Sequence, residues 1–296
     1  MGYNGAMRIA HISDFHYTHL TWNPFRLLSK RFLGNLNWIF SRRKHFFEEQ
    51  LNPLPPLLEE LGVDFVLLGG DFTTTALTEE YEKALRFVKK IKKPWLAIPG
   101  NHDHYTLRSY RQKHFYRYFT NHRKAITHPV EFFTLKDHGV EVHQLPNKWW
   151  VVTLDTAQAT NPYSSEGLFS EQLEKHLKEV LSLLPKDAPI LLLNHYPFFQ
   201  NDQARRNLRR GEVLEELLKN DSRIRLYLHG HTHRHTVADL QDAGLPIVLD
   251  SGSCAQGRKG AFNLIDLDSN GCKVSTYRFD HNWTKTRTEE FAWIRK

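Results

Sequence analysis

Seven oxygen and imidazole side chains of the kind that binds metal ions occur in five short blocks spread over most of the chain. The blocks are Asp14-Phe15-His16, Gly70-Asp71, Gly100-Asn101-His102-Asp103, Asn194-His195 and Gly230-His231-Thr232-His233. Carboxylate, amide and imidazole groups together are a common donor set for divalent transition metals. A single zinc site would need only three or four ligands, usually with cysteine or a His-Glu-x-x-His helix. Seven donors therefore indicate two adjacent metal ions.

Each block follows a short apolar run, which predicts that the donors lie at strand ends. The runs cover residues 9–12, 65–68, 95–98, 190–193 and 224–228, and such runs are typical of buried strands. Open α/β sheets gather their ligands at the carboxyl ends of the strands. The two-residue spacing of Asp14 with His16, and of His231 with His233, would place each pair on one face of extended backbone, able to share a metal. Any one of these residues alone could equally form a turn, but five ordered blocks favour a site.

The five blocks resemble the signature of the calcineurin-like metallophosphoesterases: Asp-x-His, Gly-Asp, Gly-Asn-His-Asp or Glu, a lone His, and Gly-His-x-His. The resemblance runs from Asp14 to His233 and no ligand is missing. It implies that His102 is a catalytic residue near the leaving group and is not a ligand. It implies one metal held by Asp14, His16 and His233, a second held by Asn101, His195 and His231, and Asp71 bridging both. The Val-Asp-Arg-Gly pattern of the protein-phosphatase branch does not follow Asp71, so a protein phosphatase is not expected.

A dimetal site of this kind suits the hydrolysis of phosphate esters and anhydrides. Two cations roughly 3.5 to 4 Å apart lower the pKa of a water molecule and clamp the phosphoryl oxygens. His102 would stabilise or protonate the departing oxygen, a contribution of about 100- to 10,000-fold. The donor set suits two manganese ions, with iron or zinc as alternatives, because affinity order alone does not select among them. Asp103 could orient His102 or cap the helix that follows.

The pattern of the whole chain predicts an α/β fold. Helical spacing recurs at residues 57–61, 79–92, 170–184 and 211–219, and strands are expected at 246–250, 261–266 and 272–279. The family resemblance implies a two-sheet β-sandwich flanked by helices, with helical inserts after the first and third metal blocks. Because both halves of the chain supply metal donors, we expect residues 1–296 to form a single domain. The inserts cover about residues 17–47 and 104–130.

These two inserts carry the positive charge of the chain. The sequence contains 40 lysines and arginines against 33 aspartates and glutamates, and each insert has six basic residues and no acidic one. Without these twelve, acidic residues outnumber basic ones by 33 to 28. Both inserts are also rich in aromatic residues, and each begins directly after a metal block, which indicates that they lie beside the active site.

The first insert predicts short amphipathic helices. Apolar residues recur at helical spacing from Phe25 to Phe32, Gly34 interrupts them, and a second short helix is expected at about residues 36–44. Helices with aromatic residues on one side and basic residues on the other lie on anionic membrane surfaces. The expected membrane contacts are Trp38, Ile39, Phe40, Arg42 and Arg43. The insert could equally pack on the body of the protein, or bind nucleic acid through phosphate contacts and base stacking.

The segment from Ser29 to Arg43 resembles the corresponding segment of the chlamydial-type UDP-2,3-diacylglucosamine pyrophosphatases of lipid A biosynthesis. This resemblance implies a peripheral enzyme on the inner face of the cytoplasmic membrane that takes an acylated sugar nucleotide as its substrate. The products would be UMP and 2,3-diacylglucosamine 1-phosphate. Four residues after His195 are candidates for binding the diphosphate, although they could equally be a solvated helix edge: Arg205, Arg206, Arg209 and Arg210.

Two other functions are compatible with the sequence. One is a soluble phosphodiesterase or nuclease that uses the basic inserts to bind nucleotides or nucleic acid. The other is a non-catalytic binding scaffold, which the complete set of metal donors argues against. We infer no obligate protein partner. The chain shows no run of 18 apolar residues and no charged-then-apolar leader, so neither a transmembrane span nor a secretion signal is expected.

Overall fold

The computed structural model describes residues 7–27, 29–40, 44–121, 128–200 and 203–294, which form strands and helices in alternation over most of the chain. The strands are β1 (Met7–Ile12), β2 (Phe65–Leu68), β3 (Trp95–Ala97), β4 (Val140–Gln144), β5 (Trp150–Leu154), β6 (Gly167–Leu168), β7 (Ile190–Leu193), β8 (Leu208–Arg209), β9 (Ile224–His229), β10 (Thr236–Ala238), β11 (Ile247–Asp250), β12 (Ala261–Leu267), β13 (Gly271–Asp280) and β14 (Asn282–Ala292). The helices are α1 (Pro24–Leu27), α2 (Arg31–Phe40), α3 (Leu54–Glu60), α4 (Thr78–Val88), α5 (Leu107–Arg111), α6 (Phe115–Tyr118), α7 (Leu135–His138), α8 (Glu171–Leu183) and α9 (Gly211–Asn220).

Two six-stranded sheets form the body of the protein. The first sheet has the order β14-β13-β12-β1-β2-β3, and the second has the order β10-β11-β9-β7-β5-β4. The strands that precede the metal blocks pair in parallel within each sheet: β1 with β2, β2 with β3, and β7 with β9. Parallel pairing brings the carboxyl ends of these strands to the same edge, which is where the donors must meet.

Three apolar layers hold the sheets and helices together. The layer between the sheets contains Ile9 and Leu67 of the first sheet and Leu191 and Leu228 of the second. A second layer packs α3 and α4 on the outer face of the first sheet. A third packs α8 and α9 on the outer face of the second sheet. The expected α/β fold, with two sheets flanked by helices, is confirmed.

The predicted helices and strands outside the inserts are present with shifted ends, but helix α7 and six of the described strands were not predicted: β4, β5, β6, β8, β10 and β14. β14 pairs with β13 at the edge of the first sheet. Most of its residues are exposed, and its alternating threonines, lysine, arginine and glutamates are typical of an edge strand. Such a strand has no apolar alternation, so the pattern that reveals buried strands does not detect it.

The first insert departs from the prediction, because Gly34 does not interrupt a helix. The insert forms the four-residue helix α1 and then α2, which begins before Gly34 and continues through it. A Cβ atom at Gly34 would lie 2.6 Å from Thr75 Cγ2 and 3.0 Å from Tyr105 Oη. The glycine therefore allows α2 to pack closely against the loops that follow β2 and β3. Within the described part of the chain, no helix is long and apolar enough to cross a membrane.

Candidate active site

The five blocks lie at the carboxyl ends of five strands, as the apolar runs predicted. Three of these strands, β1, β2 and β3, belong to the first sheet, and two, β7 and β9, belong to the second. The structure places Asp14 and His16 after β1, Asp71 after β2, Asn101 and His102 after β3, His195 after β7, and His231 and His233 after β9. The site therefore spans both sheets.

Four donors form one compact group: Asp14, His16, Asp71 and His233. One donor atom of each lies within 4.8 Å of the corresponding atoms of the others. His233 Nε2 is 3.0 Å from Asp14 Oδ1 and 3.0 Å from His16 Nε2, and His16 Nε2 is 3.9 Å from Asp71 Oδ2. Ligands that bind one metal at about 2.0–2.2 Å lie at separations of this order. The group has the shape of a single cation site.

Asp71 also faces the remaining donors. Its Oδ2 lies 3.5 Å from His195 Nε2, and the ring of His195 is 5.3 Å from the ring of His231. Asn101 lines the same cavity as Asp71 and His231. Among the described residues, the buried atoms Asn101 Oδ1 and His195 Nε2 have no hydrogen-bond partner. Such atoms cost about 1–3 kcal/mol when unsatisfied, and a second divalent ion fits them.

Backbone carbonyls fix which nitrogen of two histidines faces the site. His195 Nδ1 donates to Gly69 O at 2.7 Å, and His231 Nε2 donates to Arg206 O at 2.9 Å. The other ring nitrogen of each histidine is therefore the lone-pair donor available to a metal. Second hydrogen bonds of this kind commonly orient metal-binding histidines.

The prediction that each pair shares a face of extended backbone is wrong. Five of the proposed ligands have positive φ angles, between 49° and 67°: Asp14, His16, Asp71, His231 and His233. The directions of these side chains are set by left-handed turns at the strand ends and not by extended backbone. As a result His231 and His233 separate, with His233 beside Asp14 and His231 beside His195.

Asp103 holds two metal-binding loops together. Its carboxylate accepts hydrogen bonds from the backbone N–H groups of Gly100, Phe72 and Thr73 at 3.0–3.2 Å. Burial and the nearby charge of Asp71 raise the pKa of Asp103 to about 7. The alternative that Asp103 caps the following helix is wrong, because the residue that caps α5 is Thr106.

His102 lies beside the donors without being one of the compact group. Its Nδ1 donates to Thr74 O at 2.6 Å, and its backbone N–H donates to Asp71 Oδ1 at 2.8 Å. Its ring stacks on Tyr105 at 5.6 Å and meets the edge of His16 at 4.9 Å. Because Nδ1 is engaged by a carbonyl, Nε2 is the nitrogen that can act on a substrate in the cavity.

The electrostatics favour the metal-binding protonation states of Asp71 and His231, but not that of His195. Burial alone would raise the pKa of Asp71, but the charges of His195 and His102 hold it well below its usual value. Burial lowers the pKa of His231 to about 3. For His195, burial lowers the pKa, but attraction to the Asp71 carboxylate outweighs it and raises the pKa to about 9. A metal bound at His195 would displace that proton.

A cavity of about 440 Å³ opens from these groups. Two of the predicted substrate-binding arginines, Arg205 and Arg206, line it. The prediction is corrected for the other two arginines, which form ion pairs outside the cavity lining. Arg210 Nη2 lies 2.5 Å from Glu174, and Arg209 Nη1 lies 3.7 Å from Glu166. Lys30 and Tyr105 also line the cavity. The sequence placed Lys30 in a basic insert but gave no signal that separated it from the other basic residues there.

The predicted membrane contacts are only partly described. The side chains of Trp38 and Phe40, and all of Arg42 and Arg43, lie outside the described residues, and Ile39 is half-buried. Other apolar side chains of the same insert are exposed: Trp22 by 74%, Phe25 by 85%, Phe32 by 48% and Leu33 by 42%. The insert thus has exposed apolar side chains on both sides of Lys30 in the sequence.

A family model described as calcineurin-like phosphoesterase matches residues 7–235. The chain belongs to this family. The compact group of Asp14, His16, Asp71 and His233 agrees with a site for a divalent metal in a protein of this family.

Curated relatives are named as phosphodiesterases. A 3′,5′-cyclic adenosine monophosphate phosphodiesterase of Haemophilus influenzae is 24% identical over 199 residues, covering 65% of this chain and 62% of the relative. A probable glycerophosphodiester phosphodiesterase of Arcobacter nitrofigilis is 28% identical over 176 residues, covering 58% of this chain and 57% of the relative. The chain therefore spans only about three fifths of the length of these two relatives.

Solved structures share the fold over nearly the whole chain. A dimetal phosphatase from Danio rerio superposes with a TM-score of 0.67 at 13% identity, covering 98% of this chain and 100% of that one. The purple acid phosphatase PPD1 from yellow lupin seeds superposes with a TM-score of 0.66 at 11% identity, covering 98% and 54%. At these identities the likeness concerns the fold alone.

Proposed function

We propose that this phosphoesterase hydrolyses the diphosphate of UDP-2,3-diacylglucosamine at the inner face of the cytoplasmic membrane, giving UMP and 2,3-diacylglucosamine 1-phosphate. The observation that carries the proposal is the cavity, in which the metal donors share one space with Lys30, Arg205 and Arg206. A phosphate monoester or simple diester presents one phosphoryl group to the donors. The additional cations suit a substrate with a second phosphoryl group beside the one that is attacked.

The exposed apolar surface of the first insert supports an acylated substrate. Trp22, Phe25, Phe32 and Leu33 lie on the same insert as the cavity residue Lys30. Large exposed apolar patches on soluble proteins mark interaction sites, and aromatic residues next to basic ones favour anionic lipid surfaces. An enzyme that takes a lipid-linked diphosphate from a membrane needs both features at the mouth of its site.

The chain's own residues have separable roles in this reaction. Two divalent ions, which we propose to be manganese, supply a nucleophile at neutral pH and neutralise the phosphoryl oxygens. Asp71 faces the donors of both proposed metal sites. Asp103 holds together the loops that carry Asp71 and Asn101. His102 Nε2 donates a proton to the departing oxygen, and the carbonyl of Thr74 orients its ring.

A substrate comparison with the purified full chain and manganese tests the proposal. We expect release of UMP from UDP-2,3-diacylglucosamine with a kcat/KM at least ten times that for UDP-N-acetylglucosamine, which is a matched substrate without the two long acyl chains. The gain should depend on vesicles or detergent micelles that present the substrate. An Asp71→Ala preparation run in parallel shows that the activity belongs to this site.

The second candidate is a soluble phosphodiesterase acting on nucleotides or nucleic acid. The names of curated relatives favour it, including the cyclic nucleotide enzyme of Haemophilus influenzae and a probable cyclic nucleotide phosphodiesterase of Rhodopseudomonas palustris that is 24% identical over 212 residues. The same assay therefore includes 3′,5′-cyclic AMP, bis-p-nitrophenyl phosphate and single-stranded DNA. Preferential hydrolysis of cyclic AMP or DNA would replace the lipid proposal with this one.

A further inference from the structure

We propose that Lys30 is a specificity-determining residue that binds the phosphoryl group of the substrate that is not attacked. This inference rests on the proposed function, in which the substrate is a diphosphate. In this proposal, the side chain of Lys30 in the first insert recognises a second phosphate next to the phosphate that the metals would bind.

The position of Lys30 is defined by contacts on two sides. Its Nζ donates to Thr160 Oγ1 at 3.1 Å, to Ser164 O at 3.4 Å and to Thr160 O at 3.5 Å. It also lies 4.6 Å from the centre of the Tyr105 ring, a cation–π distance. Tyr105 in turn stacks on His102. A single aromatic ring thus separates Lys30 from the proposed catalytic residue.

The segment that carries Lys30 is anchored to the catalytic loops. The neighbouring Arg31 donates to Thr75 O at 3.0 Å and to Ala76 O at 2.9 Å, and both carbonyls follow Asp71 in the chain. Gly34 packs on Thr75 and Tyr105. Because the insert is bound to the loops after β2 and β3, Lys30 keeps a fixed place relative to the metal donors. That fixed place is what a specificity residue requires.

A chain of contacts closes the opposite side of the cavity. Ser164, whose carbonyl accepts from Lys30, donates its hydroxyl to Arg205 O at 3.1 Å, and His231 donates to Arg206 O at 2.9 Å. Lys30, Arg205 and Arg206 therefore belong to one continuous rim that begins at the insert and ends at a metal donor. An anion bound next to the metals would meet cations on this rim.

The electrostatic state of Lys30 suits an anionic partner. Among the described residues, its Nζ contacts only neutral oxygens and the aromatic ring. The bonds are longer than the 2.7–2.9 Å of charge-assisted hydrogen bonds. Burial lowers the pKa of Lys30 to about 8, so the buried ammonium is not compensated by a carboxylate there. A phosphate oxygen would supply the missing charge.

The competing explanation is that Lys30 only braces residues 160–164. To separate the two, we compare Lys30→Met and Lys30→Gln with Lys44→Met, which removes an exposed cation from the same insert. The reporter is hydrolysis of bis-p-nitrophenyl phosphate at fixed free manganese. The measured quantity is the ratio of the inhibition constants of methylenediphosphonate, which has two phosphoryl-like groups, and inorganic phosphate, which has one.

We expect both Lys30 variants to raise this ratio about 10- to 100-fold, as for loss of a hydrogen bond to a charged group, and Lys44→Met to leave it as in the wild type. Lys30→Arg should retain most of the preference. If a variant loses all turnover, calorimetric titration of the manganese-loaded protein with the same two anions gives the ratio directly. An unchanged ratio in the Lys30 variants overturns the inference and leaves the bracing role.

The comparison is independent of the natural substrate. If the chain does not cleave UDP-2,3-diacylglucosamine but the ratio rises in the Lys30 variants, the proposed substrate fails and the recognition of a second phosphoryl group by Lys30 stands. If the chain cleaves that lipid and the ratio does not change, the proposed function stands and the role of Lys30 is rejected.

Discussion

A left-handed backbone conformation is shared by most of the proposed metal donors. Five of the seven proposed ligands occupy the left-handed region, which costs about 1–2 kcal/mol per residue for side chains other than glycine. Aspartate and histidine tolerate this region better than most residues. The clustering of such residues at one edge of the molecule is typical of a functional site, where local strain is stored. Metal binding would offset this strain.

Asp71 faces both groups of proposed metal donors, so we expect both metals to depend on it. We expect Asp71→Ala to reduce hydrolysis of bis-p-nitrophenyl phosphate to below about 1% and to lower bound metal below two ions per chain, because the two cations then repel each other with less compensation. Elemental analysis and the hydrolysis rate measure the two effects. Asp137→Ala, which removes an exposed carboxylate, is the control. Two metals per chain with near-normal turnover in the Asp71 variant would disprove the assignment.

His102 should act on the leaving group and not on metal affinity. We expect His102→Ala to retain its metal while losing about 100-fold or more in turnover of alkyl phosphodiesters, whose departing oxygen is basic. The loss on p-nitrophenyl diesters should be much smaller, because that leaving group needs little protonation. A plot of turnover against leaving-group pKa for both proteins makes the comparison. Equal losses along the whole series would show that His102 has another role.

The donors could be predicted from sequence because each has a local signal, an apolar strand followed by a polar block. The roles that the structure indicates for Lys30 and Asp103 have no such signal. Asp103 works by bonding to the loop after β2, thirty residues away in sequence, and Lys30 works through residues 160–164. The positions of Arg209 and Arg210 outside the cavity lining were not predictable for the same reason, since both form ion pairs with residues distant in the chain.

At the scale of elements, the first insert shows how tertiary packing overrides a local pattern. The apolar spacing predicted helices in the insert, and helices are present. Their bounds were wrong because Gly34, a helix breaker in isolation, is required inside α2 for contact with Tyr105. Arg31 then holds the start of α2 on backbone carbonyls of the loop after β2. Neither contact is visible in a sequence window of helical length.

The exposed aromatic residues of the insert provide a test of membrane binding. We expect the double variant Trp22→Ser/Phe25→Ser to bind anionic vesicles about 100-fold more weakly than the wild type. Full burial of a large apolar side chain stabilises binding by roughly 1.5–3 kcal/mol, and serine removes most of that. Co-sedimentation with vesicles of increasing lipid concentration gives the affinity.

Phe132→Ser is the matched control, because Phe132 is 64% exposed but lies outside the first insert. It should bind vesicles like the wild type. Hydrolysis of bis-p-nitrophenyl phosphate should stay close to normal in the double variant, since neither side chain lines the cavity. A wild-type protein that remains in the supernatant with anionic vesicles, but binds single-stranded DNA with a steep salt dependence, would reject the membrane interpretation.

At the scale of the molecule, the face of the first sheet that packs against the second sheet contains a buried titratable residue, His11. His11 lies in β1, is fully buried, and its side chain has the same parity along the strand as Met7 and Ile9, which face the second sheet. Burial, with the charges of His229 and His235, lowers the pKa of His11 to about 3. The native protein keeps this histidine neutral well below the pH at which an unfolded histidine takes up a proton.

This difference predicts acid sensitivity. An unfolded histidine has a pKa near 6.5, so the unfolded chain holds the extra proton between about pH 6.5 and 3, and the free energy of unfolding falls as the pH drops through that range. His11 alone contributes about 1.4 kcal/mol per pH unit. Urea unfolding in EDTA between pH 4.5 and 8 gives the free energy of unfolding at each pH. Below pH 6, its slope against pH should be smaller by this amount in His11→Gln than in the wild type. Above pH 7.5, the two proteins should have equal slopes. Equal slopes throughout would contradict the assignment.

The strand order also determines when the first sheet can be completed during synthesis. β1 is made before the other described strands of its sheet, and its neighbours in that sheet are β2 on one side and β12 on the other. Until Ala261–Leu267 has been made, β1 keeps an open hydrogen-bonding edge, which is a template for pairing with other chains. The last proposed ligand, His233, also arrives late. A nascent chain of this protein therefore exposes an unfinished edge from the synthesis of β1 until that of β12, and chaperone binding at β1 is the expected safeguard.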